Sequence, residues 1–121
     1  LYINSMKNVI IYHNPKWRKS RNSVGILDQK GINYTIIKYL ENPLSVLELR
    51  DLAQKLKLRP KDFIRKGEIK FKELQLSSVI EDDEKIFNAI AEHPKLMERP
   101  IIINKEKACI GRPPERILEI I

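Results

Sequence analysis

The sequence contains a single cysteine, Cys109, which excludes an intrachain disulfide and any Cys-x-x-Cys redox or metal motif. One thiol in 121 residues is typical of a protein from a reducing compartment. No apolar run approaches the roughly 18 residues that a membrane-spanning helix needs. A basic segment followed by an apolar one, the pattern of a secretory leader, is also missing. We therefore expect a cytoplasmic protein that does not associate with a membrane.

Metal-ligand patterns are equally scarce. The two histidines, His13 and His93, have neither the spacing nor the partners of a metal site. A chain of 121 residues that is 42% hydrophobic and 32% charged suits one globular domain, whose core needs neither metal nor disulfide. We predict a single domain over residues 6–121, and we expect residues 1–5, which precede Met6, to be a leader or a vector remnant.

Acidic residues are missing from the first 27 positions, although the chain has 16 of them. The same block has five cations, which account for most of the net charge of +7. Four of these cations, Lys16, Arg18, Lys19 and Arg21, lie within six positions. Such clustering favours a focused anion site over a general role in solubility. Nucleic-acid binding is disfavoured because no recognisable binding motif accompanies the cations.

Hydrophobic periodicity predicts the element order β-α-β, a helix-rich insertion, then β-β-α. A strand over about residues 8–13 precedes a helix over about 18–30, which Gly31 should end. A second strand over 32–40 should pair in parallel with the first, because a β-α-β unit connects parallel strands.

The insertion is expected over about residues 43–95. Ser45 to Glu48 reads as a capping box that opens one helix, and the acidic run 81–84 should begin another. Residues 99–104 and 106–110 are predicted strands, and a final helix should follow Pro113 and Pro114.

The turn from the first strand into the first helix has the layout of an anion site at a helix N-terminus. Backbone N–H groups, the positive end of the helix dipole and four cations surround position 17. A thiol at this position would be acidified and reactive. The indole of Trp17 can stack and donate one hydrogen bond, but it cannot act as a nucleophile.

Five segments resemble, in this order, motifs of the ArsC family of arsenate reductases. They are the loop His13-Asn14-Pro15-Lys16-Trp17-Arg18-Lys19-Ser20-Arg21-Asn22, Tyr39-Leu40-Glu41-Asn42-Pro43, Ile64-Arg65-Lys66, Glu98-Arg99-Pro100-Ile101 and Gly111-Arg112-Pro113-Pro114-Glu115. The resemblance implies a thioredoxin-like α/β fold, with a mixed four-stranded sheet and a helical insertion. It extends over roughly residues 8–121.

The implied activity is reduction of arsenate to arsenite that depends on glutaredoxin or glutathione, with glutathione as a co-substrate and no resident cofactor. In that family a loop cysteine attacks arsenic, and Trp17 stands at its position here. The further residues that the resemblance implies are Arg65, Arg99 and Arg112 as an oxyanion clamp, His13, Ser20 and Arg21 as shapers of the loop, and Pro100 as a cis-proline.

Three explanations of Trp17 stay open. Cys and Trp codons differ by one base, so the residue can result from a cloning or sequencing change or from an engineered substitution. It can also mark a natural non-catalytic relative whose arginines bind arsenate, phosphate or sulfate without turnover. A third explanation is an anchor for a partner protein. A core position is disfavoured between Lys16 and Arg18, although the indole could contact Arg18 or Arg21.

Other single residues have ordinary interpretations. Without a neighbouring thiol, we expect His13 to be structural and to donate to a backbone carbonyl, while His93 should lie at a helix end. Cys109 is expected to be a small buried hydrophobe. A second class of function is a partner-binding module similar to the Spx regulators, which resemble this fold and contact RNA polymerase.

Overall fold

The computed structural model describes residues 9–121, which form two compact units. In the described part of the chain, unit 1 consists of residues 9–39 and 99–121. Unit 2 consists of residues 40–98. Unit 2 is thus similar in extent to the helix-rich insertion expected over about 43–95. The single domain over 6–121 stays a prediction, and residues 1–5 lie outside the described residues.

Unit 1 contains a four-stranded mixed sheet with the order β2-β1-β3-β4. Strand β1 pairs in parallel with β2 and antiparallel with β3, and β3 pairs antiparallel with β4. The fold is therefore the thioredoxin-like α/β fold that was expected. Each strand has four residues and is shorter than predicted: β1 Val9–Tyr12, β2 Tyr34–Ile37, β3 Ile101–Asn104 and β4 Lys107–Ile110.

Helix α1, Arg18–Gln29, connects β1 to β2 and packs on the sheet. Gly31 follows it with φ 65°, a left-handed conformation that glycine adopts without strain, so the predicted helix end is confirmed. Leu27 of this helix enters the core of unit 1 together with side chains from the strands and the C-terminal segment. The buried members of this core are Val9, Ile11, Leu27, Ile102, Cys109 and Ile117.

The C-terminal segment differs from the predicted α-helix. Residues Pro114–Glu119 form a 3-10 helix, in which Arg116 N–H donates to Pro113 and Ile120 N–H donates to Ile117. Two consecutive prolines remove two N–H donors at its start, and tight 3-10 turns are common in segments this short. Ile117 is nevertheless fully buried, so the segment covers the core as its apolar residues suggested.

Unit 2 is helical. Its α-helices are α2 Val46–Leu56, α3 Ile69–Glu73 and α4 Asp83–Glu92, and 3-10 turns cover Pro60–Asp62, Leu76–Val79 and Pro94–Leu96. The capping box of α2 is confirmed: Glu48 N–H donates to Ser45 Oγ at 3.1 Å, and Ser45 N–H donates to Glu48 Oε1 at 2.9 Å. Asp82 caps α4 through a single bond of this kind, in which its side chain accepts from Lys85 N–H.

The acidic run at the start of α4 also forms ion pairs. Arg59 pairs with Glu81 and Asp83, and Lys61 pairs with Glu81 at 2.9 Å. These bonds lower the pKa of Glu81, with Lys61 as the largest cause and Arg59 as the second. The acidic side chains therefore hold the start of α4 in place through ion pairs. Their negative charge also interacts favourably with the positive end of the helix dipole. Within residues 9–121, no helix is long and apolar enough to cross a membrane.

Gly111 provides a sharp test of packing in unit 1. A Cβ at this position would lie 2.9 Å from Ser23 Oγ, 3.0 Å from Ile102 Cδ1 and 3.1 Å from Pro100 Cγ. We predict that Gly111→Ala destabilises the protein by about 1–3 kcal/mol, because three neighbours must shift. Chemical denaturation monitored by circular dichroism measures the change.

Gly25 is the matched control, because it lies on the exposed side of α1 and a methyl group added there would have no neighbouring atom within 4 Å. Gly25→Ala should stabilise the protein by about 0.5–1 kcal/mol, since alanine loses less backbone freedom in a helix. Equal effects of the two substitutions would contradict the close approach at Gly111.

Candidate anion-binding site

Strand register brings the loop after β1 next to the start of β3. Tyr12, the last residue of β1, lies opposite Ile101, the first residue of β3. On the other side of β3, Gly111 N–H donates to the Pro100 carbonyl at 2.9 Å. Arg99 and Arg112 therefore lie at the same end of the sheet as the loop after β1. The peptide bonds Arg99–Pro100 and Arg112–Pro113 are both cis.

Asn14 organises this loop. Its N–H donates to Ser20 Oγ at 3.1 Å, its Oδ1 accepts from Lys16 N–H at 3.1 Å, and its carbonyl accepts from Trp17 N–H at 3.0 Å. Both Asn14 and Ser20 are buried. Ser20 thus ties the loop to the first turn of α1. The sequence reasoning did not single out Asn14, although Asn-Pro is a known turn signal.

The N-terminus of α1 is not neutralised by an acidic residue of its own first turn. Trp17 is its N-cap residue with extended backbone angles, φ −106° and ψ 130°. Within the described chain, no N-cap side chain accepts from this turn, and the turn contains no acidic residue. Arg21 extends back over the loop and donates from Nη1 to the Pro15 carbonyl at 2.9 Å. The first-turn amides and the helix dipole are therefore left for a ligand or for water.

Arg99 lies over the indole of this N-cap residue. Its guanidinium carbon is 3.8 Å from the centre of the Trp17 ring. Arg99 is 8% exposed, whereas Trp17 is 48% exposed. The sequence had suggested Arg18 or Arg21 as cationic neighbours of the indole; the stack that forms is with Arg99, an arginine expected in the clamp.

The stack on Trp17 offsets part of the cost of burying Arg99. A desolvated cation–π contact contributes about 2 kcal/mol, while removing a cation from water costs several kcal/mol. Among residues 9–121, no guanidinium nitrogen of Arg99 is both fully buried and without a hydrogen-bond partner. A negative ligand at the N-terminus of α1 would compensate this charge.

His13 lies at the base of the loop and is buried. Its backbone N–H donates to the Ile37 carbonyl at 2.9 Å. The Nδ1 atom of its imidazole has no hydrogen-bond partner among the described residues. The side-chain bond to a carbonyl that was expected is therefore not seen at Nδ1. Burial lowers the pKa of His13, and Lys38 and Arg21 lower it further. Its imidazole is thus neutral at pH 7, so His13 offers hydrogen bonding rather than charge.

The other two arginines of the expected clamp have different surroundings. Arg112 follows β4 and is exposed, and its N–H donates to the Ile110 carbonyl at 2.8 Å. Arg65 belongs to unit 2, where its Nε lies 3.9 Å from Glu98 Oε1. The role of Arg65 in a clamp stays an expectation from the resemblance.

Cys109, the chain's single thiol, lies in the core of unit 1. Its Sγ is 3.7 Å from the Arg116 carbonyl. Burial raises the pKa of Cys109 to about 11. This thiol is therefore a packing group and differs from the exposed, acidified thiol that nucleophilic chemistry requires. Among the described residues, no cluster of three or more His, Cys, Asp or Glu side chains could hold a metal ion.

A mixed four-stranded sheet of order β2-β1-β3-β4, whose parallel strands β1 and β2 are connected by helix α1, defines a thioredoxin-like protein. The family model described as the ArsC family matches residues 12–120. The chain belongs to the ArsC family.

Two arsenate reductases and one solved structure that are similar to this chain agree with this membership. An arsenate reductase of Haemophilus influenzae is 44% identical over 115 residues, which cover 94% of this chain and 99% of that protein. An arsenate reductase of Neisseria meningitidis serogroup A is 39% identical over 113 residues, 93% of this chain and 97% of that one. The solved structure of an arsenate reductase from Vibrio cholerae has a TM-score of 0.91 at 46% identity and covers 95% of this chain and 98% of its own.

The burial of Cys109 predicts that the native protein resists thiol reagents. With a pKa of about 11, only about one thiol in a thousand is ionised at pH 8. Reaction with 5,5′-dithiobis(2-nitrobenzoate) should be slow in buffer and complete within minutes in urea, with Cys109→Ala as the blank. Stoichiometric labelling of the folded protein within minutes would contradict the buried placement.

Proposed function

We propose that this chain binds a tetrahedral oxyanion at the N-terminus of α1 and does not reduce it. The observation that carries the proposal is Arg99, a buried cation whose guanidinium lies against the N-cap residue of that helix. An anion at the first turn would be near the helix dipole, the uncapped amides and this guanidinium together. Arginine suits the task because its planar fork makes charge-assisted bonds to oxyanions.

The loop adds positive charge around the same point. Lys16, Arg18, Lys19 and Arg21 are exposed and surround Trp17 in the chain. Together with Arg99 and Arg112 they create a positive field that attracts arsenate, phosphate or sulfate.

Reduction is a separate matter, because the family reaction needs a thiolate that attacks arsenic. The residue at the helix N-terminus is Trp17, whose indole cannot form a bond to arsenic. Cys109 is buried, and its raised pKa keeps it as a thiol. The proposed function is therefore oxyanion binding on a reductase scaffold, with glutathione or glutaredoxin as partners of the parent activity.

The anion site predicts stabilisation by simple oxyanions. Phosphate, sulfate or arsenate at 100 times its dissociation constant should add about 2.7 kcal/mol to the free energy of unfolding. Thermal unfolding at constant ionic strength, with chloride as the reference anion, measures the shift. Arg99→Gln should lose most of it, because the buried positive charge is removed.

Lys107→Gln is the matched control, since Lys107 is an exposed cation of the same unit on β4. Its anion response should equal that of the unmodified chain. If none of the three anions stabilises the protein and an RNA polymerase subunit co-purifies with it, the Spx-like regulator replaces this proposal.

A second prediction concerns catalysis. With glutathione and glutaredoxin supplied, the chain should form no arsenite from arsenate, because no accessible thiol lies at the anion site. Trp17→Cys should produce turnover, since a thiol at this N-terminus would ionise readily. Arsenite formation measured by chromatography is the assay, with Cys109→Ala as a background control.

Two outcomes would contradict this account. Arsenite formation by the unmodified chain, after contaminating enzymes are removed, would show that Trp17 does not prevent the chemistry. A Trp17→Cys protein that reacts rapidly with iodoacetamide but forms no arsenite would show that arsenate is not the parent substrate of this site.

A further inference from the structure

His13 is a buried titratable group that the proposed function does not yet use. Its side chain is 7% exposed, and the Nδ1 atom of its imidazole has no hydrogen-bond partner among residues 9–121. A buried polar atom without a partner is costly and calls for an explanation. Histidine is also the side chain whose ordinary pKa allows a change of charge near neutral pH, so His13 is able to respond to both a proton and a nearby ligand.

Two backbone bonds place His13 between the end of β2 and the first turn of α1. The N–H of His13 donates to the Ile37 carbonyl at 2.9 Å, and Lys38 is the residue directly after that carbonyl. The residue that follows His13, Asn14, donates its own N–H to Ser20 Oγ at 3.1 Å. Because Ser20 belongs to the first turn of α1, a single residue connects His13 to the turn that forms the proposed oxyanion site.

The charged groups that surround His13 in unit 1 are cations. Helix α1 contributes Arg21, which also bonds to the Pro15 carbonyl of the loop at 2.9 Å. The residue after β2 is the exposed Lys38, and the residue two positions before β3 is Arg99. Burial is the largest cause that lowers the pKa of His13, followed by Lys38 and then Arg21. A proton on His13 would therefore lie among positive charges, and no carboxylate is among these causes.

A bound oxyanion would reverse this balance. Negative charge near a buried base favours its protonated form, and the low dielectric of the interior strengthens the attraction. An anion at the first turn of α1 would act on His13 in this way, since Asn14 joins the two through its bond to Ser20. The coupling is reciprocal, because a ligand that favours a proton is itself favoured by that proton.

We infer that an oxyanion binds at the N-terminus of α1 together with a proton, which His13 takes up. This inference rests on the proposed function, since the anion occupies the same site. It adds pH as a regulator of binding and assigns His13 a role that is separate from the shape of the loop. Affinity should rise as the pH falls through the titration of His13 in the complex. It should level off once His13 of the free protein is protonated as well.

Sulfate is the probe for the test, because its charge does not change in neutral or mildly acidic solution. Isothermal titration calorimetry at constant ionic strength measures its affinity. Between about pH 8 and about pH 5.5 the affinity should rise about three- to tenfold, where tenfold corresponds to a change of about one pH unit in the pKa of His13. Titrations in buffers of different ionisation enthalpy should show proton uptake on binding.

Three variants separate His13 from other titrating groups. His13→Asn retains a polar side chain that does not titrate, so the affinity should become nearly independent of pH, whatever its level. The matched control is His93→Asn, because His93 is the chain's other histidine and follows α4 in unit 2. This variant should keep the pH dependence of the unmodified chain. Lys38→Gln, at an exposed position, should move the pH dependence to higher pH because a cation that opposes protonation is removed.

Carbon–proton correlation spectra of the imidazole rings observe the proton directly. In saturating sulfate, the ring signals of His13 should titrate at a higher pH than in chloride of equal ionic strength. The ring signals of His93 should titrate alike in both salts. This measurement uses the unmodified chain, so it does not depend on the folding of any variant.

The outcomes distinguish this inference from the proposed function. If sulfate binds equally well at both pH values, or more weakly in acid, the inference is overturned while the oxyanion site stands. A pH dependence that persists in His13→Asn also overturns it, as does a titration of His13 that saturating sulfate leaves unchanged. If sulfate binds at no pH in this range, the proposed function fails and this inference fails with it.

Discussion

The antiparallel pairing of β1 with β3 is the constraint on which the candidate site depends. Placing Tyr12 opposite Ile101 sets the end of one strand beside the start of the other, so the loop after β1 meets the residue before Pro100. The same register buries Ile11 and Ile102 in the core of unit 1. A shift of one residue would turn these side chains to the opposite face. Core packing therefore also fixes where Arg99 meets Trp17.

The nature of the residue at position 17 decides how this positive region is used. A thiolate there would itself supply a negative charge to the helix dipole and to Arg99. A neutral indole stacks on the guanidinium and brings no negative charge of its own. In the function we propose, an indole at the position of the family's thiol provides no nucleophile and leaves the positive field available to an external anion. The proposal thus gives the absence of reduction and the binding of an anion one physical origin.

Local signals in the sequence were sufficient for much of the fold. The Ser45–Glu48 capping box, Gly31 after α1 and the acidic start of α4 each act within a few residues, and each is confirmed. The parallel pairing of β1 with β2 followed from the β-α-β pattern, and the mixed four-stranded sheet followed from the motifs of the family. The strand lengths and the 3-10 form of Pro114–Glu119 were not predicted, because pairing partners and paired prolines decide them rather than hydrophobic periodicity.

The site was less accessible to sequence reasoning. The cations of its loop came from their clustering at a predicted helix N-terminus, whereas Arg65, Arg99 and Arg112 came from the resemblance. The roles of all these residues remain predictions. The stack of Arg99 on Trp17 joins residues far apart in the chain, which no local pattern encodes. The bonds of Asn14 to Lys16 and Ser20 are local, yet they depend on burial that the sequence does not reveal.

The central claim is that the first turn of α1 holds an oxyanion beside Arg99. Proton–nitrogen correlation spectra recorded during a phosphate titration test it most directly, because they report the donors themselves. The account predicts saturable downfield shifts of the amide protons of Arg18, Lys19 and Ser20, together with a shift of the Arg99 Nε–H signal. Saturation without change at these four signals, or shifts confined to unit 2, would contradict it.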